Sequence, residues 1–95
     1  MSCSKEFIDV VCSALAELGN VRARRMMGDY IIYVNDKMVI TACDEICYVK
    51  KLPAIADLMA DADCGSPYEG AKEHYILDMD HREHSLNVVR AILGV

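Results

Sequence analysis

The chain has no Trp, one Phe and two Pro among its 95 residues, and its five Gly are scattered. Isolated glycines make neither a phosphate-cradling loop nor a dinucleotide fingerprint, and no Gly-x-Ser-x-Gly elbow is present. Positive charge is also scarce: ten Lys and Arg stand against fifteen Asp and Glu, a formal net charge of −5. A phosphate backbone would meet a repulsive field, so direct nucleic-acid binding is disfavoured. Long apolar runs are missing too. The longest stretch free of Asp, Glu, Lys and Arg runs from Val10 to Ala16, far below the ~20 residues of a membrane-spanning helix. Lys5, Glu6, Asp9 and Glu17 break the apolar core a secretory signal requires, and Ser2 stands where N-acylation needs glycine. The expected setting is the cytoplasm, without a membrane partner.

What is present suits one small globular domain spanning residues 1–95, with 54% hydrophobic residues. At this length folding buries roughly 65% of the unfolded chain's surface, enough for a core without a disulfide or metal staple. The five cysteines, Cys3, Cys12, Cys43, Cys47 and Cys64, are odd in number and unevenly spaced. A reducing cytoplasm would keep them as thiols, most of them serving as small hydrophobes.

Phe7, Val10, Val11, Ala14, Leu15 and Leu18 recur at helical spacing, with Ser4 placed as N-cap and Gly19 as a left-handed C-terminal residue. Four segments rich in β-branched and aromatic residues follow: Val21 to Met26, Tyr30 to Val34, Met38 to Ala42 and Ile46 to Lys50. Gly28 and Asp29, Asn35 and Asp36, and Asp44 and Glu45 separate them, which predicts short antiparallel hairpins. Pro53 opens a predicted second helix that ends near Asp61, with Ile55, Leu58 and Met59 as its apolar stripe. A loop with a brief strand at Tyr68 precedes a strand over His74 to Met79. A third helix then starts from a capping box of Asp80 and Glu83 and carries Leu86, Val89 and Leu93. The expected class is α+β: an N-terminal helix, an antiparallel sheet of five or six strands, and two further helices. Both faces of the second and third strands are apolar, so any face the helices leave bare calls for a partner or a second copy.

No residue constellation specifies a reaction. Cys43, Cys47, Cys64, His74, His81 and His84 include zinc-ligand types, but no Cys-x-x-Cys pair sets a metal spacing. Asp61 and Asp63 imitate the start of a calcium loop, yet Ser66 and Lys72 occupy the positions that need Gly and Glu. Asp78 and Asp80 fit turn and capping duty. Neither catalytic residues nor a cofactor are expected. A thiol with His74 as base, in a pocket between the sheet and the last helix, is the alternative, and would make the chain a small-ligand-binding protein or minor enzyme. The sharpest local feature is Arg22, Arg24 and Arg25 in one short strand. Alternation puts Arg22 and Arg24 on one face and Arg25 on the other, as either an aggregation-resistant edge or a site for an acidic partner. Met26, Met27, Met38, Met59 and Met79 read as core filling.

The run Val21-Arg22-Ala23-Arg24-Arg25-Met26-Met27-Gly28, the hairpin Tyr30-Ile31-Ile32-Tyr33-Val34-Asn35-Asp36-Lys37-Met38 and the strand Ile46-Cys47-Tyr48-Val49-Lys50 resemble the N-terminal domain of the TfoX/Sxy family of bacterial competence regulators. That family usually reads Ala-Arg-Arg-Met-Phe-Gly-Gly, Asp-Gly-Lys-Met and Leu-Tyr-Leu-Lys. Here Met27, Asp29 and Asp36 depart from it. The resemblance implies an arrangement similar to secretion chaperones and a regulatory or adaptor role by protein contact, including homodimer contact, in transcriptional control related to competence. It also implies that the family's C-terminal domain is absent. No family catalytic residues carry over. Arg24, Arg25, Met26 and Gly28, with Tyr48 and Lys50, are the positions matching its motifs. Gly28 serves as a turn residue, and Arg22, Arg24, Arg25 and Lys50 are the candidates for interaction.

Overall fold

The computed structural model describes residues 4–26 and 29–94. Helix α1 covers Lys5–Leu15 and begins as the sequence predicts, with the Ser4 hydroxyl accepting the Phe7 N–H at 3.1 Å. That bond satisfies one of the donors a helix N-terminus leaves unpaired. Ser4→Ala should therefore cost about 1 kcal/mol and lower the melting temperature by about 4–8 °C. An unchanged thermal melt would count against the cap.

Six strands follow α1: β1 (Val21–Met26), β2 (Asp29–Val34), β3 (Lys37–Cys43), β4 (Ile46–Val49), β5 (Cys64–Gly65) and β6 (His74–Leu77), before helix α2 (Arg82–Leu93). They form one antiparallel sheet ordered β1-β2-β3-β4-β6-β5. β1 to β4 are a meander of neighbours in sequence. At Asn35 and Asp36 φ is 52° and 68°, and at Asp44 and Glu45 it is 52° and 61°. Both linkers thus take the left-handed pair of angles that matches the twist of a two-residue hairpin. Gly28 and Met27 fall outside the described residues. A bulge between Ile32 and Tyr33 lets Val39 join the buried core beside Ile40.

Both helices lie on one side of the sheet, α1 against β1 and β2, α2 against β3 and α1. Ile8, Val11 and Leu15 of α1 and Leu86, Val88, Val89 and Ile92 of α2 bury against Ile32, Val34, Ile40, Ala42, Cys47, Val49 and Leu77. Arg82 donates to Glu17 at 2.9 Å, and Arg90 lies 3.5 Å from the same carboxylate, tying the turn that follows α1 to α2. Among the described residues no helix is long and apolar enough to cross a membrane.

Four local expectations need correction. The α-helix predicted from Pro53 to Asp61 is a 3-10 turn, Pro53–Ile55, followed by further turns. Ile55 and Met59 are buried as expected, and the Met59 N–H donates to the Ile55 carbonyl four residues back, but that bond stands alone between bonds from Ala60 N–H to Asp57 and from Ala62 N–H to Met59 that span only three residues. No side chain caps the segment at Leu52, and so short a stretch does not repay helix nucleation. The brief strand lies at Cys64–Gly65, not Tyr68. The Asp80 capping box is replaced by Asp78, whose carboxylate accepts the Asp80 N–H at 3.0 Å and whose carbonyl accepts the Ser85 hydroxyl at 2.9 Å, while His81 is the N-cap. Gly19 ends a 3-10 turn, Ala16–Leu18, at φ 151° and ψ −154°. This is a conformation for glycine, but it is not the left-handed helical one.

Candidate interaction face

Strand alternation decides what the helix-free face displays. Along β1 the register pairs Arg22 with Tyr33 and Arg24 with Ile31, and along β3 and β4 it pairs Thr41 with Tyr48. These side chains share the face opposite the core, because their neighbours Val21, Ile32, Ala42 and Cys47 belong to it. Residues 66–73 run over the far part of this face. Between them and the first three strands lies a groove of about 840 Å³. Its apolar lining comes from Met26, Ile31, Tyr33 and Met38, with Thr41 among them. Tyr68, Glu69, Lys72 and His74 line it from the loop and β6, and Lys50 and Asp29 complete it.

The structure brings together three of the four interaction candidates. The Arg22 guanidinium stacks on the Tyr33 ring, 4.9 Å from its centroid, and lies 3.5 Å from the Asp36 carboxylate. This cation–π contact holds the side chain along the sheet instead of away from it. Arg24 is exposed beside it, and Lys50 lines the groove. Neither forms an ion pair among the described residues. Arg25 pairs in register with Tyr30 and so points to the other side, as alternation predicts. Arg22, Arg24, Lys50 and Lys72 are four of the chain's ten Lys and Arg, set over an apolar floor in an acidic protein.

Met26, at 43% exposure, rims the groove rather than filling core. Tyr48 is 8% exposed and supports the face from beneath. Its ring meets His74 edge-on, at 6.5 Å between centroids and 89° between planes, and a Cβ on Gly65 would sit 3.4 Å from it. Burial pushes the Tyr48 phenol above its ordinary value, and Cys43 and Asp44 add to the shift. His74 donates from Nδ1 to the Lys72 carbonyl at 2.7 Å, which fixes the ring against the loop. Lys51 pairs with Glu73 and packs 5.2 Å from the centre of the Tyr75 ring. The Glu73 hydrogen bond raises the Lys51 ammonium's pKa.

The loop residues Tyr68, Lys72 and Glu69 escape sequence reasoning. Only the apolar outer face of β2, Ile31 and Tyr33, signals that something should lie across it. The space beside α2 at Ile92, where a ligand pocket is the sequence-based alternative, measures about 20 Å³, room for one water at most. The sizeable concavity is on the opposite side of the sheet. His74 faces that side, whereas Cys47 and Cys64 pair in register with the core-side residues Leu77 and Tyr75. Among the described residues no three metal-ligating side chains converge.

The thiols differ in environment. Burial, then the Asp9 carboxylate, pushes Cys12 above the ordinary thiol range, while Cys64 is exposed. Iodoacetamide at neutral pH should alkylate Cys64 about tenfold or more ahead of Cys12. Peptide mass mapping reads the two rates, and equal rates would contradict the burial of Cys12.

Helices packed on one sheet face, with a concave and cation-bearing face left open, define a small α+β domain of two layers. Residues 13–88 match the family model for the TfoX N-terminal domain, and the chain belongs to that family. It is also similar to an uncharacterized 12.7 kDa protein in the trpE 5′ region of Spirochaeta aurantia, with 36% identity over 58 residues. That alignment covers 61% of this chain and 50% of the relative, so the matched stretch spans about half of the relative's length.

Proposed function

We propose that this domain is a non-enzymatic regulatory or adaptor module of the cytoplasm that works by protein contact through the helix-free sheet face. Its regulatory setting is transcription related to competence. One observation carries the reading: Arg22, Arg24 and Lys50 gather around the apolar floor of Ile31, Tyr33 and Met38 in a chain of net charge −5. Lys50 and Lys72 in the groove lining are matched by Asp29 and Glu69, so the excess positive charge that would steer an acidic partner to this face comes from Arg22 and Arg24 beside it. Membership of the TfoX N-terminal domain family supports the regulatory reading.

In native-level affinity capture at physiological salt, wild-type protein should retain a stoichiometric protein partner. The triple variant Arg22→Ala/Arg24→Ala/Lys50→Ala should lose it by about tenfold or more. The control Lys5→Ala/Arg82→Ala removes cations outside this face and should retain it. Equal recovery with both variants would refute the proposal.

A second reading rests on the groove itself, because about 840 Å³ lies within the roughly 300–1,000 Å³ typical of small-molecule sites. A bound amphipathic anion would place its apolar body on Met38 and Tyr33 and its charge near Lys50 or Lys72. Native mass spectrometry of untagged protein separates the two readings: a stoichiometric extra mass supports a ligand, and a clean protein mass supports the adaptor.

A further inference from the structure

The outer edge of β1 carries an opportunity that the groove does not. β1 is six residues long and stands first in the sheet order, so β2 holds one of its sides and no described strand holds the other. The opposite edge, β5, has only two residues and offers almost nothing to pair with. The Asn35 N–H donates to the Asn20 carbonyl at 2.9 Å, which sets the phase of the ladder. Asn20, Arg22, Arg24 and Met26 therefore turn their backbone groups toward β2, and Val21, Ala23 and Arg25 turn theirs outward. The positions from Arg22 to Met26 are exposed throughout. An edge with outward donors and acceptors at three alternate residues can template another strand.

Charge decides which strand. Two copies of β1 laid antiparallel, edge to edge, put arginine opposite arginine in every central register. Arg22 meets Arg24 when Ala23 is the centre, Arg24 meets itself when it is the centre, and Arg22 meets itself when it is the centre, these being the registers that set outward-turned residues opposite one another. Like charges directly opposite are destabilising, so a second copy does not fit. A strand with acidic residues at alternate positions does, because side chains two apart fall on one face beside Arg22 and Arg24.

We infer that the outer edge of β1 takes an extended acidic segment of a partner protein as a seventh strand, its backbone bonded to Val21, Ala23 and Arg25 and its carboxylates beside Arg22 and Arg24. This rests on the reading that the helix-free face is the contact surface, and it specifies how the partner engages there.

The probe is an acetylated, amidated octapeptide alternating Glu and Val, titrated into the whole chain at low salt and followed by amide NMR. The expected result is saturable binding that slows hydrogen exchange at Val21, Ala23 and Arg25 by about tenfold or more. Ala23→Pro removes one outward N–H, leaves all three arginines in place, and suits an edge position whose N–H is not used within the sheet. It should weaken peptide binding by about tenfold or more. Arg22→Glu/Arg24→Glu keeps the backbone intact and should exchange preference from the Glu-Val peptide to its Lys-Val counterpart. Strand addition is overturned if Ala23→Pro binds as wild type does, a result that leaves contact through the charged face standing. It is also overturned if an oligothymidylate displaces the peptide and binds Ala23→Pro equally, or if wild-type protein binds no peptide. Concentration-dependent protection of the same amides in the free protein would assign the edge to a second copy and overturn the acidic partner.

Discussion

Replacing Gly19 with alanine is expected to destabilise the domain by about 2–4 kcal/mol and to lower its melting temperature by about 10 °C or more. Two costs combine. Gly19 sits at φ 151° and ψ −154°, a region that residues with a Cβ avoid. A Cβ there would also lie 2.7 Å from Cγ of Asn35, so the side chain would have to move. That side chain is not free to do so cheaply: its carbonyl accepts the Asn20 N–H at 2.9 Å, while the Asn35 N–H donates to the Asn20 carbonyl. The pair of bonds starts β1 in register with β2, which in turn sets Arg22 and Arg24 on the open face. Asn35→Ala in the Gly19→Ala background should relieve the crowding without relieving the backbone, so the double variant should be less unstable than the two single losses summed. Chemical denaturation of the four proteins measures this. A Gly19→Ala protein as stable as wild type would show that the connection from α1 to β1 takes another path.

The second large effect is at Tyr48. Truncation to alanine is expected to cost about 3–5 kcal/mol, as for other large aromatic deletions from a packed site. Its ring fills the space bounded by Gly65, Ile76 and the His74 imidazole. Tyr48→Phe keeps the ring and should cost less than about 1.5 kcal/mol. The phenol also makes a pH prediction. Because its proton is held more tightly in the folded chain than in the unfolded one, its stabilising contribution is complete below the unfolded tyrosine value near ~10. It is lost as pH rises through the higher folded value. Urea midpoints should therefore fall above about pH 10 more steeply for wild type than for Tyr48→Phe, and identical slopes would remove Tyr48 from the cause.

Much of this fold can be read in the sequence because the determinants are local. Ser4 caps a helix whose apolar residues keep a 3.6-residue period, and Asn35-Asp36 tolerates the angles a tight hairpin demands. The division of the β1 arginines between two faces follows from alternation alone. The segment after Pro53 is different. Ile55 and Met59 both bury and share one four-residue bond, but burial periodicity does not propagate that pattern, and the bonds around it close three-residue turns. The groove was the least legible feature. It depends on residues 66–73 crossing a sheet face built from strands far away in sequence, and nothing periodic in Tyr68, Glu69 or Lys72 encodes that crossing. Arg22, Arg24 and Lys50 could be picked out as charged residues near recognisable strands, but their gathering around one floor needs the sheet order.

The insertion of β6 between β4 and β5 gives the open face an unequal dynamic character. β1 to β4 are joined by tight turns between neighbours, while β6 reaches β4 only after the chain has closed a loop over residues 50–73. Pairings that close a long loop carry the larger entropic cost, and hydrogen exchange is expected to show β6 opening ahead of the meander. One wall of the groove is built on β6 and the loop before it, and its apolar floor lies on the meander. Whatever settles in the groove must hold the two units together, so its binding free energy would be felt as slower opening of Tyr75 and Ile76, residues on a strand beyond the floor itself.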